Sequence, residues 1–203
     1  MRLRSAACQS RPVRQGFSLF ELMIVLAVLI VVTSMAVPNY MESIRVGRVV
    51  EAAEDARDVV ASARLYAIEY GVDYHFRYEV GGCAAVAIPA ESGPQLSNSY
   101  SENAEDNRLR LKAVIVDDDL KFNSLEGENP GGETLDPECF QTLEEAGDFA
   151  QRTWSSPIVF RPDGSSGSST FRVMDAEGRQ SEISVRGLTG AVRVTPVFEK
   201  ESR

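Results

Sequence analysis

One segment constrains the fold of this chain more than any other. Residues 17–37 form a run of 21 residues in which Glu21 carries the one charge. As an α-helix this run would extend about 31 Å, which matches the roughly 30 Å hydrocarbon core of a bilayer. A carboxylate in hydrocarbon costs on the order of 3 kcal/mol on insertion scales, so Glu21 is predicted to have a function. The alternative is a glutamate near the helix end whose charge reaches the membrane surface.

The residues before this run are basic. Residues 1–16 contain no acid and four arginines, which are Arg2, Arg4, Arg11 and Arg14. The positive-inside rule then predicts a cytoplasmic N-terminus, with everything after residue 37 across the membrane. A signal peptide or a plain signal anchor is the alternative. The run is longer than the usual apolar region of about 7–15 residues and no small-residue cleavage site closes it. Neither alternative explains Glu21.

The junction ahead of the run reads Gly16-Phe17-Ser18-Leu19-Phe20-Glu21. It resembles the prepilin leader motif of type IV pilins and type II secretion pseudopilins. The resemblance implies that a prepilin peptidase cuts after Gly16 and that Phe17 becomes the N-methylated first residue. Glu21 then lies on the same helix face as the new amine, because residues i and i+4 share a face. In this family the glutamate is held to meet the amine of a neighbouring subunit, the cationic partner that a carboxylate in lipid needs.

The charge and length of the chain limit the remaining possibilities. It has 203 residues and a net charge of −9, which removal of the four leader arginines would make −13. About 165 residues follow the apolar run, enough for one domain with a hydrophobic core. An acidic surface is poorly suited to phosphate backbones, so nucleic-acid binding is not expected.

Three cysteines are present: Cys8 in the leader, then Cys83 and Cys139. If the folded domain lies in an oxidising compartment, disulfides persist there, and a Cys83–Cys139 bridge is predicted. Two buried thiols that act as small apolar side chains are the alternative. A metal site is not expected, because His75 is the one histidine and the sequence has no CxxC pair.

Residues 38–70 are predicted to continue the helix. Apolar residues recur at steps of three and four from Val49 to Ala67, and Gly71 supplies a stop. Together with the apolar run they form one helix from residue 17 to about 70, with Pro38 as a point where it can bend. Small residues on one side of the second half suit close packing against a sheet.

After residue 71 the pattern changes to alternation typical of strands. The predicted strands are 73–80, 83–88, 109–116, 157–162, 169–175, 181–187 and 191–197. Gly/Ser and Asp/Gly turns between the last four predict an antiparallel meander. The predicted fold is therefore α+β: a long N-terminal helix packed on an antiparallel β-rich head, residues 71–203. Two segments, 90–107 and 123–156, are expected to be exposed loops, with a short helix within 143–150.

The C-terminal block, residues 157–197, resembles the soluble domain of GspH/FimT pseudopilins. The matching residues are Phe160, Pro162-Asp163-Gly164, Gly167 and Leu188-Thr189-Gly190. Together with the leader motif, this implies a minor pseudopilin of a type II secretion system, a structural subunit in protein export. The implied partners are other major and minor pseudopilins, prepilin peptidase and the inner-membrane assembly platform. The implied location is the bacterial inner membrane, single-pass with a periplasmic head, and later the pseudopilus.

Other functions remain open or are disfavoured. A minor pilin of a type IV pilus (FimT/FimU-like), in assembly or adhesion, fits the same leader. A DNA-uptake receptor of FimT type would use a Gly-Arg-x-Arg motif, but the matching stretch, 190–193, lacks the first arginine. The Gly/Ser run at 164–168 lacks a phosphate-loop ending, and Asp117-Asp118-Asp119 lacks EF-hand spacing. No enzyme, catalytic residue or cofactor is expected, because nothing selects a nucleophile with an oriented base.

Overall fold

The computed structural model describes residues 18–90, 109–125, 131–140, 143 and 146–199, without the side chains of residues 35–39. The chain divides into two compact units, Met1–Ser43 and Ile44–Arg203.

The first helix, α1, runs from Leu19 to Tyr70 and continues through Pro38. The prediction of one long helix is thus confirmed, and the helix ends directly before Gly71, the predicted stop. Gly71 adopts a left-handed φ of 68°, and its N–H donates to the carbonyl of Ala67 at 3.1 Å. This arrangement is the glycine C-cap that ends many helices.

In the first unit, every described side chain of α1 between residues 19 and 34 is exposed. Within the described part of the chain, no helix has both the length and the apolarity needed to span a membrane. The predicted span, residues 17–37, extends past the described side chains at both ends, at Phe17 and at residues 35–37.

The second unit contains two antiparallel sheets. The first has the order β3-β2-β1-β5, formed by Lys112–Ile115, Ala84–Pro89, Tyr74–Tyr78 and Ile158–Phe160. The second has the order β4-β6-β7-β8, formed by Lys121–Ser124, Ser169–Met174, Arg179–Arg186 and Ala191–Val194. A short β9, Phe198–Glu199, pairs with the start of β7. A 3₁₀ helix, Pro137–Phe140, and the short helix α2, Ala146–Gln151, precede β5.

The α+β prediction is confirmed, but the predicted meander is only partly right. Strands β6, β7 and β8 follow one another as hairpins, whereas β5 pairs with β1, for instance Val159 with His75. Two strands were missed, β4 and β9. Strand β4 reads KFNS, in which Phe122 is the one buried residue, so it gives too little alternation to be recognised.

The main core lies between the second half of α1 and the inner faces of both sheets. The helix contributes mostly small side chains, and the sheets contribute aromatic ones. Buried helix residues are Val49, Ala52, Ala53, Ala56, Val59, Val60, Ala63 and Ala67; the buried aromatic residues are Tyr74, Phe76, Tyr78, Phe122, Phe160 and Phe171. Small helix side chains let the aromatic rings of the sheets approach the helix closely, as the sequence pattern predicted.

A second core covers the outer face of the first sheet. Because side chains alternate along a strand, β2 presents Ala85 and Ala87 to the helix, and Ala84, Val86 and Ile88 to the other side. Those three pack with Phe140, Phe149 and Trp154, whose ring centroids lie 5.7–6.0 Å apart. The expectation that residues 123–156 are an exposed loop is therefore wrong at Phe140, Phe149 and Trp154, which are buried. The other predicted loop, 90–107, lies almost wholly outside the described residues.

Close helix–sheet packing makes the alanine stripe sensitive to size. We expect Ala56→Leu to lower the free energy of unfolding by about 1–3 kcal/mol, because Ala56 is fully buried and added methylenes force neighbours off their rotamers. The matched control is Ala61→Leu, at an exposed position on the same helix, which should change it by less than about 0.5 kcal/mol. Denaturant titration of the full chain in detergent measures both. Equal effects at the two positions would contradict close packing at Ala56.

Candidate assembly site at the start of the long helix

The start of α1 is organised by a serine and a glutamate three residues apart. Ser18 is the N-cap: its Oγ accepts the backbone N–H of Glu21 at 3.1 Å, and its carbonyl accepts that of Leu22 at 3.2 Å. The spacing Ser-x-x-Glu is that of a capping box. Glu21 is thus the third residue of the helix, where the partial positive charge of the unpaired N–H groups favours a carboxylate. Sequence reasoning missed this role, although the spacing alone could have revealed it.

The surface around Glu21 is apolar and uncovered. Leu19 is 82% exposed, Phe20 71% and Met23 62%. Further along, the hydroxyls of Thr33 and Ser34 donate to the carbonyls of Leu29 and Val31 in their own helix, so they need no outside partner. A long exposed apolar surface of this kind marks contact with a membrane or with other protein chains. Glu21 carries the one charge in residues 17–37, which provide this apolar surface.

Two of the predicted site residues fall outside the described part of the chain. Gly16 and Phe17 precede its first described residue, Ser18. Cleavage after Gly16, N-methylation of Phe17 and the pairing of its amine with Glu21 therefore stay predictions.

The two cysteines of the predicted disulfide lie in different cores, on opposite faces of the first sheet. Cys83 comes directly before β2 and lies in the main core, on the same face as Ala85 and Ala87. Cys139 packs in the second core, on the opposite face of that sheet. Both residues are thiols in the structure. The open alternative of two thiols acting as apolar side chains describes them better, while Cys8 lies outside the described residues.

These positions predict how the two thiols respond to labelling. We expect the mature chain, unfolded in denaturant without reductant, to take up two alkyl groups, because a sheet separates the two cysteines. In the folded protein Cys83 should react slowly, since it is only 7% exposed and lies in a packed core. Mass spectrometry counts the labels, with a reduced sample as the control. An unfolded chain that takes up label only after reduction would instead support the bridge.

Other candidate groups resemble ordinary structural features. Burial, followed by the positive charge of Arg77, lowers the pKa of His75, which keeps this strand residue neutral. Exposed Asp117 and Asp119 lie 3.7 and 3.8 Å from the guanidinium of Arg48, as in a solvated acidic turn. Among the described residues, no group of three His, Cys, Asp or Glu side chains is placed to hold a metal ion.

The Gly/Ser run forms the connection between β5 and β6. Asp163 accepts the backbone N–H of Ser165 at 2.8 Å, and Gly164 adopts a φ of 81°. Hydrogen bonds from Ser165 lower the pKa of Asp163. This is a turn closed by an aspartate, the structure that the sequence favoured over a phosphate loop.

Comparison with known proteins gives one family match. Residues 11–37 match the family model described as the prokaryotic N-terminal methylation motif. The curated proteins contain no match. Among solved structures, the chain is similar to the minor pseudopilin EpsH from the Type 2 Secretion System of Vibrio cholerae, at 10% identity and a TM-score of 0.42. That similarity covers 72% of this chain and 94% of the other.

The matched segment contains the Gly16–Phe17 junction, Glu21 and the whole apolar run. In the second unit, the second half of α1 packs on two antiparallel sheets. The type IV pilin-like character predicted from the sequence is thereby confirmed: the chain carries the N-terminal methylation segment of these proteins on an α+β fold.

Proposed function

We propose that this chain is a minor pseudopilin, a structural subunit of the pseudopilus that exports protein through a type II secretion system. The observation that carries the proposal is the methylation motif at 11–37, with Glu21 at the start of a helix whose apolar surface is uncovered. The resemblance of residues 157–197 to GspH/FimT pseudopilins supports the assignment to this subfamily.

The apolar helix would have two successive environments. Before assembly it anchors the chain in the inner membrane, with the leader in the cytoplasm and the folded unit in the periplasm. After prepilin peptidase cuts behind Gly16, neighbouring helices replace the lipid. Lipid tails are as apolar as leucine, so this exchange gains little from the hydrophobic effect and depends on packing and polar contacts. The pairing of Glu21 with the Phe17 amine of the next subunit would then select the correct register.

The folded unit would act as a scaffold. Its partners would be other major and minor pseudopilins and the inner-membrane assembly platform. The proposed role is structural rather than enzymatic. Pairing with the Phe17 amine of the next subunit would explain the charge of Glu21 in the apolar run, and it requires no chemistry on a substrate.

Deleting the gene and restoring it on a plasmid tests the type of filament. We expect the deletion to leave exported proteins in the periplasm and surface pili unchanged, with export restored by the wild-type chain. The readouts are the amount of a secreted enzyme in the medium and pili counted by electron microscopy. Loss of pili with normal export would instead identify a minor pilin of a type IV pilus.

A further inference from the structure

The two sheets end in four edge strands, β3 and β5 in the first and β4 and β8 in the second. An open edge can pair with a strand of another chain, so proteins usually cover or charge it. The edge of β5 is covered, because the N–H of Gly167 donates to the carbonyl of Val159 at 3.2 Å. The edge of β4 is covered where the N–H of Phe122 donates to the carbonyl of Gly82 at 2.8 Å. Strand β8 carries the exposed charge of Arg193.

Strand β3 has an open edge. The N–H of Val116 donates to the carbonyl of Cys83, its opposite residue, at 2.8 Å. Backbone groups alternate in direction along an antiparallel strand, so Val114 also bonds towards β2, whereas Ala113 and Ile115 present their N–H and C=O groups to the outer edge. Among the described residues, no strand or turn pairs with β3 on that side.

This edge is also apolar. Strand β3 reads KAVI and is followed by another valine. Its one charged side chain, Lys112, donates to the carbonyl of Asp58 in α1 at 3.5 Å, so the charge is directed at the helix rather than across the edge. Ile115 is 43% exposed. An apolar edge without a charge or a cover is a template for pairing with another chain.

The charges beside the end of β3 indicate what such a strand would carry. A groove of about 240 Å³ lies there against α1, and its charged lining residues are Arg48, Glu51, Asp55 and Asp117. The guanidinium of Arg48 is 3.7 Å from Asp117. Glu51 and Asp55 are exposed, and the ion pairs within the described part of the chain do not include them. Two like charges one helical turn apart repel each other, which a positive charge from a partner would relieve.

We propose that the open edge of β3 binds an extended segment of a different protein, which adds a strand antiparallel to β3. Main-chain hydrogen bonds to Ala113 and Ile115 would supply the affinity. The N-terminal end of an antiparallel partner lies beside the C-terminal end of β3, so a basic residue at that end would meet Glu51 and Asp55. The choice of a different protein over a second copy rests on the proposed function, in which the neighbours of this minor subunit are other proteins.

Synthetic peptides test the contact with the full chain in a neutral detergent. The probe is a fluorescent peptide of two lysines followed by alternating threonine and valine, and we expect it to bind with saturable anisotropy. Two further probes carry N-methyl groups on alternate residues, one on each set. Because only one set of N–H groups faces β3, one methylated probe should lose at least about tenfold in affinity and the other should bind like the parent. Equal binding of the two methylated probes, or no binding of the parent at about 1 mM, would overturn the inference.

Variants of the chain locate the site. Ile115→Pro removes an N–H from the open edge and none that bonds to β2, so it should weaken binding about tenfold, and Ile115→Val is the matched control. Glu51→Lys combined with Asp55→Lys should also weaken binding about tenfold, because lysines then face lysines. Unchanged binding by both variants would place the peptide elsewhere and overturn the inference. A dimer that Ile115→Pro dissociates would show a second copy on the edge and overturn it too.

These measurements are independent of the type of filament. Peptide binding in detergent requires neither a secretion system nor a pilus, so export that does not depend on this chain would contradict the proposed function and leave the strand addition standing. Normal dependence of export on the chain, combined with no binding of the parent peptide, would overturn the strand addition alone.

Discussion

Gly16→Ala is expected to leave the leader on essentially every copy of the chain. The family motif requires glycine before the cut, and glycine lacks the Cβ that would keep a peptidase from approaching the backbone closely. Without the cut there is no amine on Phe17, so Glu21 has no cationic partner and the subunit stays in the membrane. The expected readout is an intact mass that is larger by residues 1–16, together with loss of export.

The matched control for this substitution is Gly47→Ala. Gly47 lies within α1, and an added Cβ meets nothing within 4 Å. Alanine is the better helix former by roughly 1 kcal/mol, so this variant should be processed normally and be no less stable. Efficient cleavage of Gly16→Ala at the same bond would show that the motif is not read as the resemblance implies.

Replacing Glu21 is expected to block assembly while leaving processing intact. An amine in a filament core that loses its carboxylate becomes an unpaired buried charge, which typically costs about 3–5 kcal/mol. Since about 1.4 kcal/mol corresponds to a tenfold change, incorporation should fall on the order of 100-fold or more. The fraction of the chain that co-purifies with other pseudopilins, compared with its total amount in the membrane fraction, measures incorporation, and the intact mass reports processing.

The capping box makes a sharper version of this experiment possible. Glutamine can occupy the same position of a capping box, so Glu21→Gln keeps the local helix start but removes the charge. If pairing with the Phe17 amine is the role of Glu21, Glu21→Gln should fail as Glu21→Ala does. Normal incorporation of Glu21→Gln would mean that capping suffices and would refute the ion pair. Glu69→Gln, at an exposed position near the other end of α1, is the control.

The sequence predicted most of the fold because most of it is specified locally. The period from Val49 to Ala67 and the stop at Gly71 predict the helix. Alternation or short apolar runs predict seven of the nine strands in the described part of the chain. What it did not predict depends on long-range pairing. The sequence pattern of β5 is the same whether the strand pairs with β1 or with β6. Its pairing with β1 in the first sheet could therefore not be predicted. The placement of Cys139 has the same origin, because the face of the sheet on which it lies is decided by residues far from it in the chain.

The prediction of the candidate site rests almost entirely on its motif, since Gly16, Phe17 and Glu21 are close together in sequence. The N-cap at Ser18 was not predicted, although the Ser-x-x-Glu spacing that indicates it is local in the sequence. The contact between α1 and the β5–β6 turn could not be predicted in the same way. It depends on Arg64 and Gly164, which are distant in the chain, meeting in the folded unit.

The burial of the first sheet on both faces limits which of its residues can change during evolution. Strand β2 is buried on both faces, by α1 on one side and by the cluster around Trp154 on the other. A change to any side chain from Ala84 to Ile88 therefore disturbs one core or the other. The second sheet instead leaves alternate residues of β6, β7 and β8 partly or fully open to solvent. Natural variants that alter surface chemistry without unfolding the protein should therefore accumulate on the second sheet, while the first sheet keeps its small apolar residues.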